Sequence, residues 1–261
     1  SLPLTSTGAG TSELPVLRVV RQLATMRRPS LPSLLPAEDL KRDLQDAPLS
    51  EPWQTEDWTA LLKALRYTTW DKAYVLEAWR SLAPALQKLA PHMSTSLLVT
   101  TVWSMQSLYA SSSDTAWQEQ LLRAIADRAA QVQHTWRSDQ ISRCLIGLKN
   151  VGSDSPAVRQ LLSVLAERAH ACPNYFTAQD LANSIYGMAK MSSNHVEVRE
   201  MVEALIPKAR HVPDQLTGQG VGTVLYGMQG MRGEHAEVGR LVAELTPRIN
   251  ASTAELNQQE I

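Results

Sequence analysis

Four polar residues, Thr100, Arg143, Asn183 and Thr223, hold one place in a recurring pattern, two positions after an apolar residue. Side chains that vary while their surroundings repeat suit recognition of a varying ligand, such as nucleobases taken one per unit. Tyr186 and Tyr226, at matching places of successive units, offer planar faces on which bases can stack. The same residues also have a plain structural use. A polar side chain beside a packed stripe can face water, and an aromatic ring can pack between units. At this level both uses stand open.

Catalysis and metal binding find little to work with. The six histidines are His92, His134, His170, His195, His211 and His235. His195 and His235 recur at one place of successive units. Packed helices lie about 8–10 Å apart, whereas zinc–nitrogen bonds are about 2 Å long. Equivalent residues of adjacent units therefore do not share a metal without bending, and these two are expected near a helix N-terminus. There is no Cys-x-x-Cys, His-Glu-x-x-His, P-loop or Gly-x-Ser-x-Gly motif. Gly218-Gln-Gly220-Val-Gly222 resembles a phosphate loop, but no predicted strand precedes it. Its counterpart one unit earlier, Ala178-Gln-Asp180-Leu-Ala182, lacks glycine. No pair of carboxylates converges. The sequence predicts no enzyme, no cofactor, no metal and no small-molecule substrate for these residues.

The elements that carry these residues follow from composition and period. The chain has 261 residues, 44% of them hydrophobic, which favours a packed core over disorder. Its formal charge is −1, from 25 basic and 26 acidic residues, so no global excess draws it to nucleic acid. The two cysteines, Cys144 and Cys172, make no disulfide framework and fit a reducing compartment. No apolar run reaches the roughly 20 residues of a membrane span.

Ile146-Gly147-Leu148, Tyr186-Gly187-Met188 and Tyr226-Gly227-Met228 are related by steps of 40. Thr177 to Arg210 aligns with Thr217 to Asn250 without a gap. Trp103-Ser104-Met105 and Lys63-Ala64-Leu65 continue the series upstream, giving five units. Within each unit two helical faces appear. The first is spaced i, i+4, i+7, as in Leu181, Ile185 and Met188, or Val221, Leu225 and Met228. The second is spaced i, i+3, i+4, i+7, as in Val198, Met201, Val202 and Leu205, or Val238, Leu241, Val242 and Leu245. The expected fold is all-α, a right-handed α-solenoid of helix-hairpin repeats of about 40 residues.

Local signals agree. Asn194 with Glu197, and Asp154 before Pro156, are expected N-caps of second helices. Pro84, Pro207 and Pro247 share one repeat position, where a bend or an early helix end is expected. The small residues Ala64, Ser104, Gly147, Gly187 and Gly227 also share one. Glycine costs about 1 kcal/mol in a helix interior, so three in register point to close approach of helix backbones.

Residues 1–53 are expected to form a loose N-terminal segment and a helical cap, with residues 54–261 holding the five helix pairs and the start of a sixth. Leu14 to Arg28 suits an amphipathic helix with Val16, Val19, Val20 and Leu23 on one side and Arg18, Arg21, Arg27 and Arg28 elsewhere. A basic helix touching a membrane surface or RNA is the alternative to a cap. Ala37 to Leu44 suits another helix. Leu256, Gln259 and Ile261 repeat Leu216, Gln219 and Val221 one unit later. Solenoids end in a polar cap, so more chain is expected after Ile261.

The stretch Asp180-Leu-Ala-Asn-Ser-Ile-Tyr-Gly-Met-Ala-Lys-Met191 resembles the octatricopeptide repeat family, whose first helices carry a leucine-rich stretch followed by an aromatic-small pair. Tyr186-Gly187, Tyr226-Gly227 and Trp103-Ser104 stand at that pair, while Ile146 and Lys63 replace the aromatic. The resemblance covers residues 55–261. It implies binding of single-stranded RNA inside a chloroplast or mitochondrion, along the first helices. It equally admits a structural part of an organellar ribosome. A HEAT- or armadillo-like adaptor also fits the period, and the aromatic-small pair argues against it.

Charge leaves the partner open between RNA and protein subunits of a larger complex. The first helices and their flanks hold six basic residues (Lys63, Arg66, Arg137, Arg143, Lys149, Lys190) and four acids (Glu56, Asp57, Asp139, Asp180). That is a weak footprint for phosphate. A near-neutral concave surface suits a protein partner as well.

Overall fold

The computed structural model describes residues 15–26, 39, 42, 53–68, 71–108 and 115–252. Among these the chain is all-helical, without strands. Helix α1 spans Pro15–Ala24, and ten further helices follow in pairs. They are α2 (Thr55–Tyr67) with α3 (Lys72–Leu89), α4 (Thr95–Ser104) with α5 (Ala116–Gln131), and α6 (Ser138–Gly147) with α7 (Pro156–Ala171). Then come α8 (Ala178–Gly187) with α9 (Val196–Arg210), and α10 (Gly218–Gly227) with α11 (Ala236–Asn250). No described helix is long and apolar enough to cross a membrane. The C-terminal half-helix expected after Ser252 and most of the one expected over Ala37 to Leu44 lie outside the described residues.

Helix α1 packs on α2, and each later helix packs chiefly on the helix two places along the chain. One row runs α1, α2, α4, α6, α8, α10, and the other runs α3, α5, α7, α9, α11. The apolar spacings cause this, because each amphipathic helix must bury its stripe against neighbours of its own row and across the rows. Leu98, Val102, Met105, Ile141, Leu145, Leu148, Leu181, Ile185 and Met188 are all buried in the first row. Val158, Leu161, Leu162, Leu165, Val198, Met201, Val202 and Leu205 are buried in the second. In α1 the buried residues are Val16, Leu17, Val20 and Leu23, with Val19 only part-buried, so the helix presents Leu17 where the sequence reading placed Val19. Arg21 of α1 reaches Asp57 of α2 at 3.3 Å.

In the first row the glycines act at the helix ends. Gly147, Gly187 and Gly227 are the last residues of α6, α8 and α10 rather than mid-helix residues. A Cβ on Gly147 would overlap the Val102 carbonyl and lie 2.9 Å from the Trp103 Cα. On Gly187 it would lie 2.7 Å from the Ile146 nitrogen, and on Gly227 2.7 Å from the Tyr186 nitrogen. Each glycine thus rests on the backbone of the preceding first-row helix, as the register of small residues led us to expect.

The second row is tied by a ladder the sequence reading missed. Arg128, Arg168, Lys208 and Arg248 recur once per unit at one place. Arg128 donates to the Met93 carbonyl at 3.0 Å. Arg168 donates to those of Ala129 and Ala130, both at 3.0 Å. Lys208 donates to that of Cys172 at 2.7 Å, and Arg248 to that of Arg210 at 2.8 Å. Each cation therefore satisfies carbonyls left unbonded at or near the C-terminus of the preceding second-row helix, where the helix dipole favours positive charge. The loops add a second series: the Ser192 N–H donates to the Ser153 hydroxyl at 2.9 Å, and the Arg232 N–H to the Ser193 hydroxyl at 2.8 Å.

Two local expectations are corrected. The N-caps of α7 and α9 are Ser155 and His195, one residue later than Asp154 and Asn194. Pro156 at N1 makes the residue before it the cap, and Ser155 Oγ accepts from the Val158 N–H at 3.2 Å. Asn194 is held outside α9 by Arg199, which takes the Ser193 and Asn194 carbonyls at 2.8 and 3.0 Å. Pro84, Pro207 and Pro247 end no helix; α3, α9 and α11 continue past them. All three prolines are exposed, so the carbonyl each leaves without its N–H is within reach of solvent.

The glycine contacts predict opposite effects for one substitution at two places. Gly187→Ala drives a methyl into the α6 backbone and is expected to destabilise by about 1–3 kcal/mol, as overpacking does. Gly239→Ala, at an exposed site in α11 with nothing within 4 Å of its Cβ position, is expected to stabilise by about 0.5–1 kcal/mol. Urea unfolding followed by circular dichroism measures both, and equal effects would contradict the packing described.

Candidate functional site

The residue before each small residue is fixed at the rim of the first row. Because Gly187 or Gly227 sits on a neighbouring backbone, the side chain one place earlier, about 100° round the helix, is held beside that junction. Trp103 of α4, Tyr186 of α8 and Tyr226 of α10 occupy this place. Tyr186 and Tyr226 pack as a tilted pair, with ring centroids 5.5 Å apart and planes at 50°.

Cations meet these rings. The Arg66 guanidinium of α2 lies 3.8 Å from the Trp103 ring centroid and 4.6 Å from that of Tyr67. Arg143 of α6 lies 5.5 Å from the same Trp103 ring. The Lys149 ammonium, just after α6, lies 5.4 Å from the Tyr186 ring. All fall within the roughly 6 Å over which an aromatic face attracts a cation. From α2 to α10 the edge of the row therefore reads cation, indole, cation, ammonium, phenol, phenol.

Three of the six candidate residues share a groove. Asn183, Tyr186 and Thr223 line a space of about 490 Å³ between α8 and α10, with Gln179 and Gln219 beside them. Asn183 Oδ1 accepts from Gln179 Nε2 at 3.2 Å, which orients its amide. Tyr226 is 54% exposed beside Tyr186. Arg143 is exposed on α6 and lies 3.6 Å from Asp139 one turn earlier. Thr100 departs from the outward placement expected of it: only 9% of it is exposed.

Sequence reasoning did not single out Arg66, Trp103 and Lys149 as site residues. Trp103 was visible as an aromatic-small pair, and Arg66 and Lys149 only as members of a charge count. Their convergence depends on how far each helix is displaced from the last, which spacing alone does not encode. Burial lowers the Lys149 pKa below the ordinary lysine value, and the nearby Arg66 charge lowers it further. Charge along the row is uneven: α4 and α10 contain no ionisable acid or base apart from Tyr226, and the cations gather around α2 and α6. Among the described residues no group of histidine, cysteine and carboxylate side chains is placed to hold a metal. Burial pushes the Cys144 thiol well above its usual value. His195 and His235 are the N-cap residues of α9 and α11, near the helix starts where the sequence placed them.

Lys149 gives a prediction with a definite sign. Its pKa is lower folded than unfolded, so the unfolded chain binds the proton more tightly between the two values. Stability from this group therefore rises with pH through that interval. Replacing Arg66 by Gln is expected to move the Lys149 pKa upward, though not back to the ordinary value, because burial remains. Titration of the Lys149 Nζ resonance by NMR measures this, and an unchanged value would show that the two charges do not interact. Comparison with known proteins adds no relative: no family model, curated protein or solved structure matches the chain.

Proposed function

We propose that this chain is a non-catalytic helical-repeat binding module that takes single-stranded RNA along its first-row helices. The architecture in this reading is a right-handed α-solenoid of helix pairs with a repeat of about 40 residues. The two helix rows support it, as do the starts of α6, α8 and α10 at 138, 178 and 218. The observation that carries the RNA reading is the groove between α8 and α10, where Asn183 and Thr223 lie beside the Tyr186–Tyr226 pair. Single-stranded RNA offers splayed bases that stack on aromatic rings and hydrogen-bond through their edges. Asn183 supplies both donors and acceptors for such an edge. The organellar setting, chloroplast or mitochondrion, belongs to this reading through the octatricopeptide resemblance.

A second reading is a scaffold subunit binding proteins within a large organellar assembly. The near-neutral first row favours it, since an uncharged repeat surface suits a protein partner.

Fluorescence anisotropy with a diverse pool of labelled single-stranded RNA at low salt tests the first reading. Binding that weakens with added salt is expected. Tyr226→Ala is expected to cost about 1–3 kcal/mol of affinity, as loss of one stacked base does. No binding at low salt would sink the RNA reading, and stable co-purification with proteins from native extract would then favour the scaffold.

A further inference from the structure

The uneven placement of charge and rings along the first row divides the labour of binding. Arg66 and Arg143 approach the Trp103 ring from helices on either side of α4, and Lys149 follows on the turn after α6. Lys149 is close enough to Arg66 for the two positive charges to disfavour one another. An anion placed among them would relieve that repulsion. Asp139 is the described acid paired with Arg143, at 3.6 Å, and it also holds Arg137 at 2.9 Å. A shared, solvent-exposed pair of this kind is weak, so Arg143 can turn to a stronger acceptor. Beyond Tyr186 the row changes character: α10 carries no charged residue, and the groove there is lined mainly by amides, threonines and tyrosine, with Asp214 as its one charged residue.

We propose that Arg66, Arg143 and Lys149 form a phosphate subsite for the backbone of the bound strand, adjoining at Tyr186 the Asn183–Tyr186–Thr223 groove that takes a base. This rests on the RNA reading above. The strand is gripped by charge at the α2–α6 end of the row and by stacking and hydrogen bonding at the α8–α10 end. A guanidinium lying on an indole is pre-oriented, and the planar fork of an arginine matches two oxygens of one phosphate. Trp103 then acts as a positioning residue for the two arginines.

The experiment is anisotropy titration of single-stranded oligonucleotides of about a dozen nucleotides, oligo(U) and oligo(A), across a range of potassium chloride concentrations. Wild type, Arg143→Gln, Lys149→Gln and Tyr226→Ala are compared, with thermal melts confirming that each variant folds. For a single strand each neutralised phosphate contributes about 0.7 to the slope of log affinity against log salt. Arg143→Gln and Lys149→Gln are each expected to reduce that slope by about this amount, equally for oligo(U) and oligo(A). Tyr226→Ala is expected to weaken binding at every salt concentration with the slope unchanged. Wild-type binding with the slope retained in both charge variants would overturn the phosphate subsite while leaving RNA binding intact. A reduced slope in Tyr226→Ala would overturn the division between the two ends. Failure of the wild type to bind either oligonucleotide would remove the RNA reading and this proposal together.

Discussion

A missing methyl group sets the spacing of the first row. Where Gly147, Gly187 and Gly227 meet the backbones of Val102, Leu145 and Ile185, no side chain separates the two helices. That contact fixes how far one helix is displaced from the next, and hence where the following aromatic ring and cation fall. Ala64 and Ser104 hold the same place earlier in the chain and are fully buried. They carry the Cβ that the later glycines lack. The contact class changes along the row, and so does the chemistry at its rim: cations over indole at one end, paired phenols at the other.

The second row solves a different problem. Its helices are longer and must leave their C-terminal carbonyls near the neighbouring unit. The basic residues at 128, 168, 208 and 248 reach back to those groups. The side-chain donors of these four residues are thus turned toward backbone carbonyls of the preceding helix. Basic residues count toward net charge in the sequence, but these four are already engaged.

Much of the fold was legible because it rests on local periodicity. The residues expected to face inward in α6 to α9 are buried. The errors have physical causes. Helix starts moved by one residue because Pro156 and Arg199 decide where the backbone turns, which cap composition alone does not settle. The early helix end expected at Pro84, Pro207 and Pro247 does not occur, and all three prolines are exposed. The site was legible only where it is confined to adjacent units: Asn183, Tyr186 and Thr223 come together because their helices are neighbours. The Arg66–Trp103–Arg143 contact joins α2, α4 and α6, and its geometry depends on accumulated displacement that no single spacing records. Thr100 shows the reverse failure: its repeat position promised exposure, yet it is buried.

A row in which every helix leans on its immediate neighbours deforms like a spring, with strain divided over all its junctions. The glycine junctions make that spring stiff in one sense only. Backbone pressed against backbone cannot be compressed, since no flexible side chain remains to yield. It can still pivot about the contact. The first-row edge can thus change its curvature while the helix-to-helix distance, and with it the pitch of its rim residues, stays constant.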